Sequence, residues 1–392
     1  MTEADVDALL SLLSTGGATV PRRRLLETHA SPAAARDAGP KAWRAAGFDE
    51  KQVHAFDAAT LDATAHAHSR TWLAQPAHHL IGWHEADYPA LLRRISSPPL
   101  ALFVAGDPAL LWHPGIAVVG SRSPTAGGRD NAHDFANALA ASGFSVVSGL
   151  AAGIDAAAHA GALAAGGLTV AVLGTGIDVP YPRDNTALHA LIAASGAVVS
   201  EHPPGTQARR EHFPSRNRIL AGLALGTLVI EAAERSGALI TARLSIESGR
   251  EVFAIPGSIH NPMARGCHRL IRDGAALVDN VQDVIAALAP MAAELDSALR
   301  TRLGVPSSST SGLAQAPGNA ATTDDPDYNR LWEALGHDPT GMDRLVDRTG
   351  LTTAELSSML LVMELEGRVA VAHGRYSRKS QDRSRTTLSR QH

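Results

Sequence analysis

The chain has 392 residues, 45% of them hydrophobic and 19% charged, with a formal net charge of −4. That length predicts two or three domains with their own cores, and the charge balance excludes an overall basic, nucleic-acid-coating protein. No run reaches the ~18 apolar residues of a membrane span, the N-terminus is acidic rather than leader-like, and the single cysteine rules out an internal disulfide; we expect a cytoplasmic protein.

Residues 1 to about 75 carry helical periodicity without strand signals. Val6, Leu9, Leu10 and Leu13 form one stripe, stopped at Gly16-Gly17, and short helices are expected at 31–38, 41–46 and 49–57. This region reads as a small helical module of the SAM or helix-hairpin-helix kind, or as plain helical packing. An irregular connector follows, with Leu102-Phe103-Val104 expected as an edge strand.

From residue 116 the pattern becomes strand, polar or glycine-rich turn, helix. Ile116–Val119 is a strand buried on both faces, and Gly120-Ser-Arg-Ser-Pro124 is its turn. A helix follows through Ala132, Phe135 and Leu139. Further strands are expected at Phe144–Val147, Leu168–Leu173, Ala197–Val199, Thr227–Ile230, Glu251–Ile255 and Ala276–Val278. A helix is expected after Phe213-Pro-Ser-Arg-Asn-Arg218. Such alternation means a doubly wound, mainly parallel α/β sheet over residues 76–289. Residues 290–325, rich in Ser, Ala, Gly and Pro, read as a linker. Residues 326–376 have three helices, the last opened by the capping box Thr352-Thr-Ala-Glu355, and a β-ribbon at Val369–Ala372 and Arg375-Tyr376. That is a winged helix. Its third helix carries Glu355, Glu364 and Glu366, so a packing or protein-contact role is favoured over duplex reading. Residues 377–392 form a basic tail.

In an open parallel sheet, ligands bind beyond the carboxyl ends of the strands, which is where these turns gather. The first turn has the makings of an anion site: backbone N–H groups and a positive helix end, with Arg122 as a charged fork. No lysine lies between Lys51 and Lys379, which excludes a Walker-A lysine or a Schiff base there. The turns lack the glycines of a dinucleotide site. The cluster His54, His66, His68, His78, His79 and His84 has no metal-ligand spacing, so no metal or cofactor is expected. Asp155, His159, Glu201 and Glu231 are the available acids and bases, but none is paired with a nucleophile; Asp155 and His159 are i,i+4 on one helix and read as a local pair. Arginines crowd the loops (Arg122, Arg129, Arg183, Arg209, Arg210, Arg216, Arg218) with Tyr181 and Phe213 among them, a composition suited to single-stranded nucleic acid. Cys267 reads as a packed residue rather than a nucleophile.

The run from about 80 to 285 resembles the DNA-processing protein A (DprA, or Smf) family. The resemblance rests on Gly120-Ser-Arg122, Ser148-Gly-Leu-Ala-Ala-Gly-Ile-Asp155 with His159, Gly174-Thr-Gly-Ile-Asp178, Tyr181-Pro-Arg-Asp-Asn185, Phe213-Pro-Ser-Arg-Asn-Arg218, Gly237-Ala-Leu-Ile-Thr241, Pro256-Gly257 and Gly274-Ala275. It implies an extended Rossmann-like domain flanked by a helical N-terminal module and a winged helix. It further implies binding of single-stranded DNA without sequence preference, protection of incoming DNA, loading of the RecA recombinase in natural transformation, a homodimer through the Rossmann-like domain, and no catalysis. Matching the family's pocket gives Gly120, Ser121, Arg122, Arg183, Phe213, Arg216 and Arg218 as DNA-binding residues. His268 stands where the family usually has asparagine. The competing enzyme reading is a lysine-decarboxylase-like phosphoribohydrolase. It requires Pro-Gly-Gly-x-Gly-Thr before a glutamate, whereas this chain has Gly222-Leu-Ala-Leu-Gly-Thr-Leu-Val-Ile-Glu231. A third reading is a scaffold whose main ligand is protein.

Overall fold

The computed structural model describes residues 1–57, 63–303, 326–335, 340–365, 368–372 and 375–378. These divide into two compact units, residues 1–308 and 309–392.

The first unit opens with six helices: α1 (Glu3–Ser14), α2 (Thr19–Thr28), α3 (Pro32–Asp37), α4 (Gly39–Ala46), α5 (Glu50–Asp57) and α6 (Ala63–Leu73). Thr2 and Asp5 form a reciprocal capping box at the start of α1. At its other end the buried Arg22 guanidinium donates to the carbonyls of Leu12, Leu13 and Gly17, satisfying groups the helix leaves open. Strand β1 (His78–Gly82), the short helix α7 (Ala90–Arg93) and strand β2 (Ala101–Gly106) lead into the alternating region. There β3 (Gly115–Val119), α8 (Ala126–Ala141), β4 (Ser145–Ser148), α9 (Ile154–Ala164), β5 (Thr169–Val172), α10 (Thr186–Ser195) and β6 (Ala197–Ser200) follow in turn. Then come α11 (His212–Leu223), β7 (Gly226–Val229), α12 (Gly237–Glu247), β8 (Glu251–Ala254), α13 (Arg265–Arg272), β9 (Ala276–Leu277) and α14 (Val281–Leu303).

The strands make one nine-stranded sheet in the order β1-β2-β6-β5-β4-β3-β7-β8-β9. It is parallel from β6 to β9, with Val118 opposite Leu228, and antiparallel at β1–β2 and β2–β6, with Ile81 opposite Leu102. The chain winds outward from β3 to β6, then returns to the other side of β3 at β7. That reversal is the topological switch point. Four-residue apolar strands suffice because helices cover both faces, as parallel sheets require. Residues of α11, α12 and α13 pack on one face with Val147, Val172 and Val229; α8, α9 and α14 pack on the other with Val118, Val146 and Leu228.

Three expectations are corrected here. The segment 102–104 lies inside the sheet, because β1, which the sequence reading passed over, pairs along its outer side. The Phe213–Arg218 stretch does not precede a helix but forms the first turns of α11, which starts at His212. The stretch from 290, read as linker, is helical to Leu303. The N-terminal helices share a core with the sheet: Leu9, Leu25, Trp43 and Phe56 belong to one buried cluster with Phe103, Ala171 and Val198.

The second unit contains α15 (Pro326–Ala334), β10 (Thr340–Gly341), α16 (Met342–Thr349), α17 (Thr353–Leu365), β11 (Val369–Ala372) and β12 (Arg375–Arg378). The strands form a small sheet ordered β10-β12-β11. The core is Leu331, Leu335, Leu345, Leu356, Leu360, Met363 and Val369. Arg368 and Arg378 each stand 4.7 Å from the Trp332 ring centroid. This is a winged helix, as its sequence pattern implied. The expected capping box is present, with Glu355 accepting from Thr352 N at 2.8 Å. The rest of the expected linker from residue 304, the expected ribbon turn His373-Gly374, Glu366 and the expected basic tail from Lys379 lie outside the described residues.

Candidate nucleic-acid interface

The turns after β3, β4, β5, β6, β7 and β8 all open on one sheet edge. At the switch point β3 and β7 continue side by side, with Ser121 N donating to Glu231 O at 2.8 Å. The turn after β3 must pass close to its neighbours. A Cβ on Gly120 would lie 2.7 Å from Ile154 Cγ1, and one on Gly153, at φ +84°, 2.5 Å from Ser121 O. Beside this turn lies a cavity of about 500 Å³ with apolar walls from Val119, Leu220 and Ile240 and a polar rim that includes Ser121, Arg122 and Arg235. That volume suits one small ligand or one nucleotide unit.

The N-terminus of α8, expected as an open anion site, is already filled. The Glu231 carboxylate accepts from Thr125 N at 2.9 Å, from Thr125 Oγ1 at 2.7 Å and from Asn261 Nδ2 at 3.1 Å. Thr125 Oγ1 in turn caps the helix by accepting from Gly128 N at 3.0 Å. A negative charge at a helix start is where the helix dipole favours it, so Glu231 stabilises the turn. Arg122 remains at the rim, exposed to solvent.

The second cluster lies under the turns after β4 and β5. Asp155 is 7% exposed and accepts from Gly149 N at 3.1 Å and Ala151 N at 3.4 Å. Burial pushes its carboxyl above the usual range, opposed by the nearby Arg216 charge. Asp155 and His159 are therefore not a local pair. His159 is fully buried and its Nδ1 meets Thr169 Oγ1 at 2.7 Å. Since Thr169 Oγ1 donates to Val146 O, the imidazole Nδ1–H donates to the hydroxyl, and burial pushes the ring's pKa down to about 3. Arg216 is the largest departure from expectation. It is 4% exposed, and its guanidinium donates to Gly149 O at 2.7 Å and to Val172 O, bridging the ends of β4 and β5. Burial lowers its pKa to about 10. It faces carbonyls and Asp155, not solvent.

The outer rim keeps the rest. The Arg122 guanidinium carbon stands 5.4 Å from the Phe213 ring centroid, and Phe213 lies 5.2 Å from Tyr181 at an interplanar angle of 42°. Tyr181 is 43% exposed, and Arg183 beside it is exposed. Gly174 gives Phe213 its seat, since a Cβ there would come within 3.0 Å of the ring. Arg218, half-buried, forms an ion pair with Glu201. Arg209 and Arg210 are exposed in the loop before α11. Of the seven expected residues, then, Gly120, Ser121, Arg122 and Phe213 line the cavity, Arg183 is exposed two residues after Tyr181, Arg218 is partly engaged and Arg216 is interior. Arg235, which also lines the cavity, stands just before the Ser236-Gly237 start of α12 and belongs to no motif that marks it in the chain. His268, the departure noted above, donates from Nε2 to Gly257 O at 2.9 Å and so fixes the turn after β8. Cys267 is buried with Sγ toward Val229 O and Ile230 O, and burial pushes its thiol up to about 11. It is a packed residue. No group of three or more metal-ligating side chains occurs among the described residues.

Comparison with known proteins agrees with this architecture. The model of the family "DNA recombination-mediator protein A" matches residues 79–289, and that of the "DprA winged helix domain" matches residues 315–375. The chain is 39% identical over 316 residues to Protein Smf of Escherichia coli (strain K12), covering 79% of this chain and 80% of that protein. It is 49% identical over 199 residues to DNA processing protein DprA of Streptococcus pneumoniae, covering 51% of this chain and 70% of that protein. The X-ray structure of DNA processing protein A from Streptococcus pneumoniae superposes with a TM-score of 0.63 at 36% identity, covering 73% of this chain and 98% of that one. An extended, mostly parallel sheet with its turns gathered at one edge, the Gly120–Arg122 and Phe213–Arg218 motifs beside each other, and a separate winged helix are one coherent pattern: the chain belongs to the DNA recombination-mediator protein A (DprA/Smf) family.

Proposed function

We propose that the chain binds single-stranded DNA without sequence preference along the Arg122–Phe213–Tyr181 rim. The observation that carries this reading is the tier itself: a solvent-exposed guanidinium over one aromatic ring, with a second exposed ring beside it. Bases of any identity stack on such rings while arginines track the phosphates. Arg235 adds a charge at the cavity, and Arg183, Arg209 and Arg210 are further exposed arginines of the loops that follow β5 and β6. Relatives bear the name DNA processing protein, which favours a role in handling incoming DNA. On this reading the protein protects the incoming strand in the cytoplasm, loads RecA recombinase onto it during natural transformation, and works as a homodimer through the Rossmann-like domain. The winged helix is a separate contact module, with few basic side chains along α17.

Filter binding with single- and double-stranded oligonucleotides across a salt series tests the binding, and RecA filament assembly with and without the protein tests the loading. Equal affinity for both strand forms, or binding without salt dependence, would refute the interface. No observation favours the phosphoribohydrolase reading: its glutamate position, Glu231, is engaged in capping α8.

A further inference from the structure

At the switch point of a doubly wound sheet, the first strand–turn–helix unit offers free N–H groups and the positive end of a helix, and a ligand phosphate is the usual occupant. Here that seat is taken from within the chain. Glu231, 106 residues from Thr125 in sequence, places its carboxylate on Thr125 N, Thr125 Oγ1 and Asn261 Nδ2, and is 7% exposed. The first turn of α8 is shaped around it. A Cβ on Gly128 would lie 2.4 Å from Glu231 Cδ, whereas one on the adjacent Gly127 would meet nothing within 4 Å. Only the glycine facing the carboxylate is needed for the fit. The backbone of Glu231 also receives Ser121 N, and the next residue, Ala232, donates to Met263 O at 2.6 Å, so the carboxylate sits where three loops meet.

We propose that Glu231 is a specificity-determining residue: an internal anion that occupies the phosphate seat at the α8 N-terminus. It orders the turn that presents Arg122 without any ligand, and it closes the seat to inorganic phosphate and free mononucleotides. A polyanion is then left with the outer rim, where affinity comes from several arginines and rings at once. A mononucleotide, which makes one such contact, gains little there. The statement about DNA rests on the binding reading above; the statement about the anion seat does not.

The test is thermal unfolding of the full chain as wild type and as Glu231→Ala, in sodium phosphate and in sodium chloride at matched pH and ionic strength. In chloride the variant melts below wild type. In about 50 mM phosphate it regains ~2–4 °C as the free anion takes the vacated seat, while wild type shows no phosphate-specific shift. AMP should then displace single-stranded DNA from the variant at a concentration at least about tenfold lower than from wild type, since the site now accepts one phosphate. Glu231→Ser, which also empties the seat, is expected to shift both measurements in the same direction. It decides the matter if the alanine variant does not fold. Variants that respond to phosphate and AMP as wild type does overturn the proposal. If wild type fails to bind single-stranded DNA, the binding reading falls, and the phosphate-dependent melting still decides the role of Glu231.

Discussion

Arg216→Met separates a phosphate-binding arginine from a structural one. The wild-type guanidinium donates to Gly149 O and Val172 O and lies beside the buried Asp155. Methionine retains most of the volume and none of the donors. Two carbonyls at the ends of β4 and β5 then lose a partner, at about 1–3 kcal/mol if both stay dry. Asp155 keeps its two backbone donors but loses a nearby positive charge that offsets its burial. The two losses overlap, so we expect ~2–4 kcal/mol in all, which lowers the melting temperature of the sheet unit by at least about 4 °C. The loss should depend on pH. With its counter-charge gone, the Asp155 carboxyl is pushed further above its unfolded value, so the folded state retains a proton that the unfolded state has released. Stability of the variant therefore falls as pH rises through and beyond the carboxylate range. Adding Asp155→Asn should recover part of the loss at pH 7 by removing the stranded charge. Denaturant unfolding at pH 4.5 and 7, with single-stranded DNA binding measured on whatever remains folded, reads all of this. A variant as stable as wild type that has lost DNA binding would show that Arg216 contacts phosphate and that its buried bonds count for little.

Arg122→Ala should weaken single-stranded DNA binding by about 1–3 kcal/mol and reduce the salt slope by roughly one phosphate contact; wild-type affinity with an unchanged slope would remove Arg122 from the interface. Phe213→Ala should cost ~1–3 kcal/mol of binding with the salt slope unchanged, because stacking releases no counterions, and a fall in slope would contradict that division of labour. His159 and His202 are held neutral by burial, with pKa values of about 3 and about 4 against an ordinary 6.5. The unfolded chain takes up protons below pH 6.5 that the folded one refuses, so their contribution is complete above that pH and is lost as pH falls toward 4. The slope should reach up to ~1.4 kcal/mol per pH unit for each ring, and His159→Gln should remove one ring's share when unfolding midpoints are compared at pH 7, 5.5 and 4.5.

Much of the sheet unit was legible in the chain because its cues are local. Apolar runs such as Ile116–Val119 and Thr227–Ile230 end at polar or glycine turns, and one strand's run and turn need no distant partner to be recognised. The same holds for the Thr352–Glu355 cap. What only the tertiary structure decided depends on groups far apart in sequence. Whether segment 102–104 lies at an edge turns on β1 pairing along it, and a five-residue strand holding two histidines carries little signal of its own. The N-terminal helices have an ordinary amphipathic pattern, which is silent about the surface they cover; here that surface is the sheet itself. Arg216 and Arg218 are two residues apart on α11 and look alike in sequence, yet the first points to the buried carbonyls of Gly149 and Val172 and the second meets Glu201 near the surface. Glu231 reads as a possible base at a strand end until Thr125 is brought to it, and then it is a helix cap. A side chain's charge and size are written in the sequence, but the dielectric and the partners that give them a role are assembled only when the chain folds.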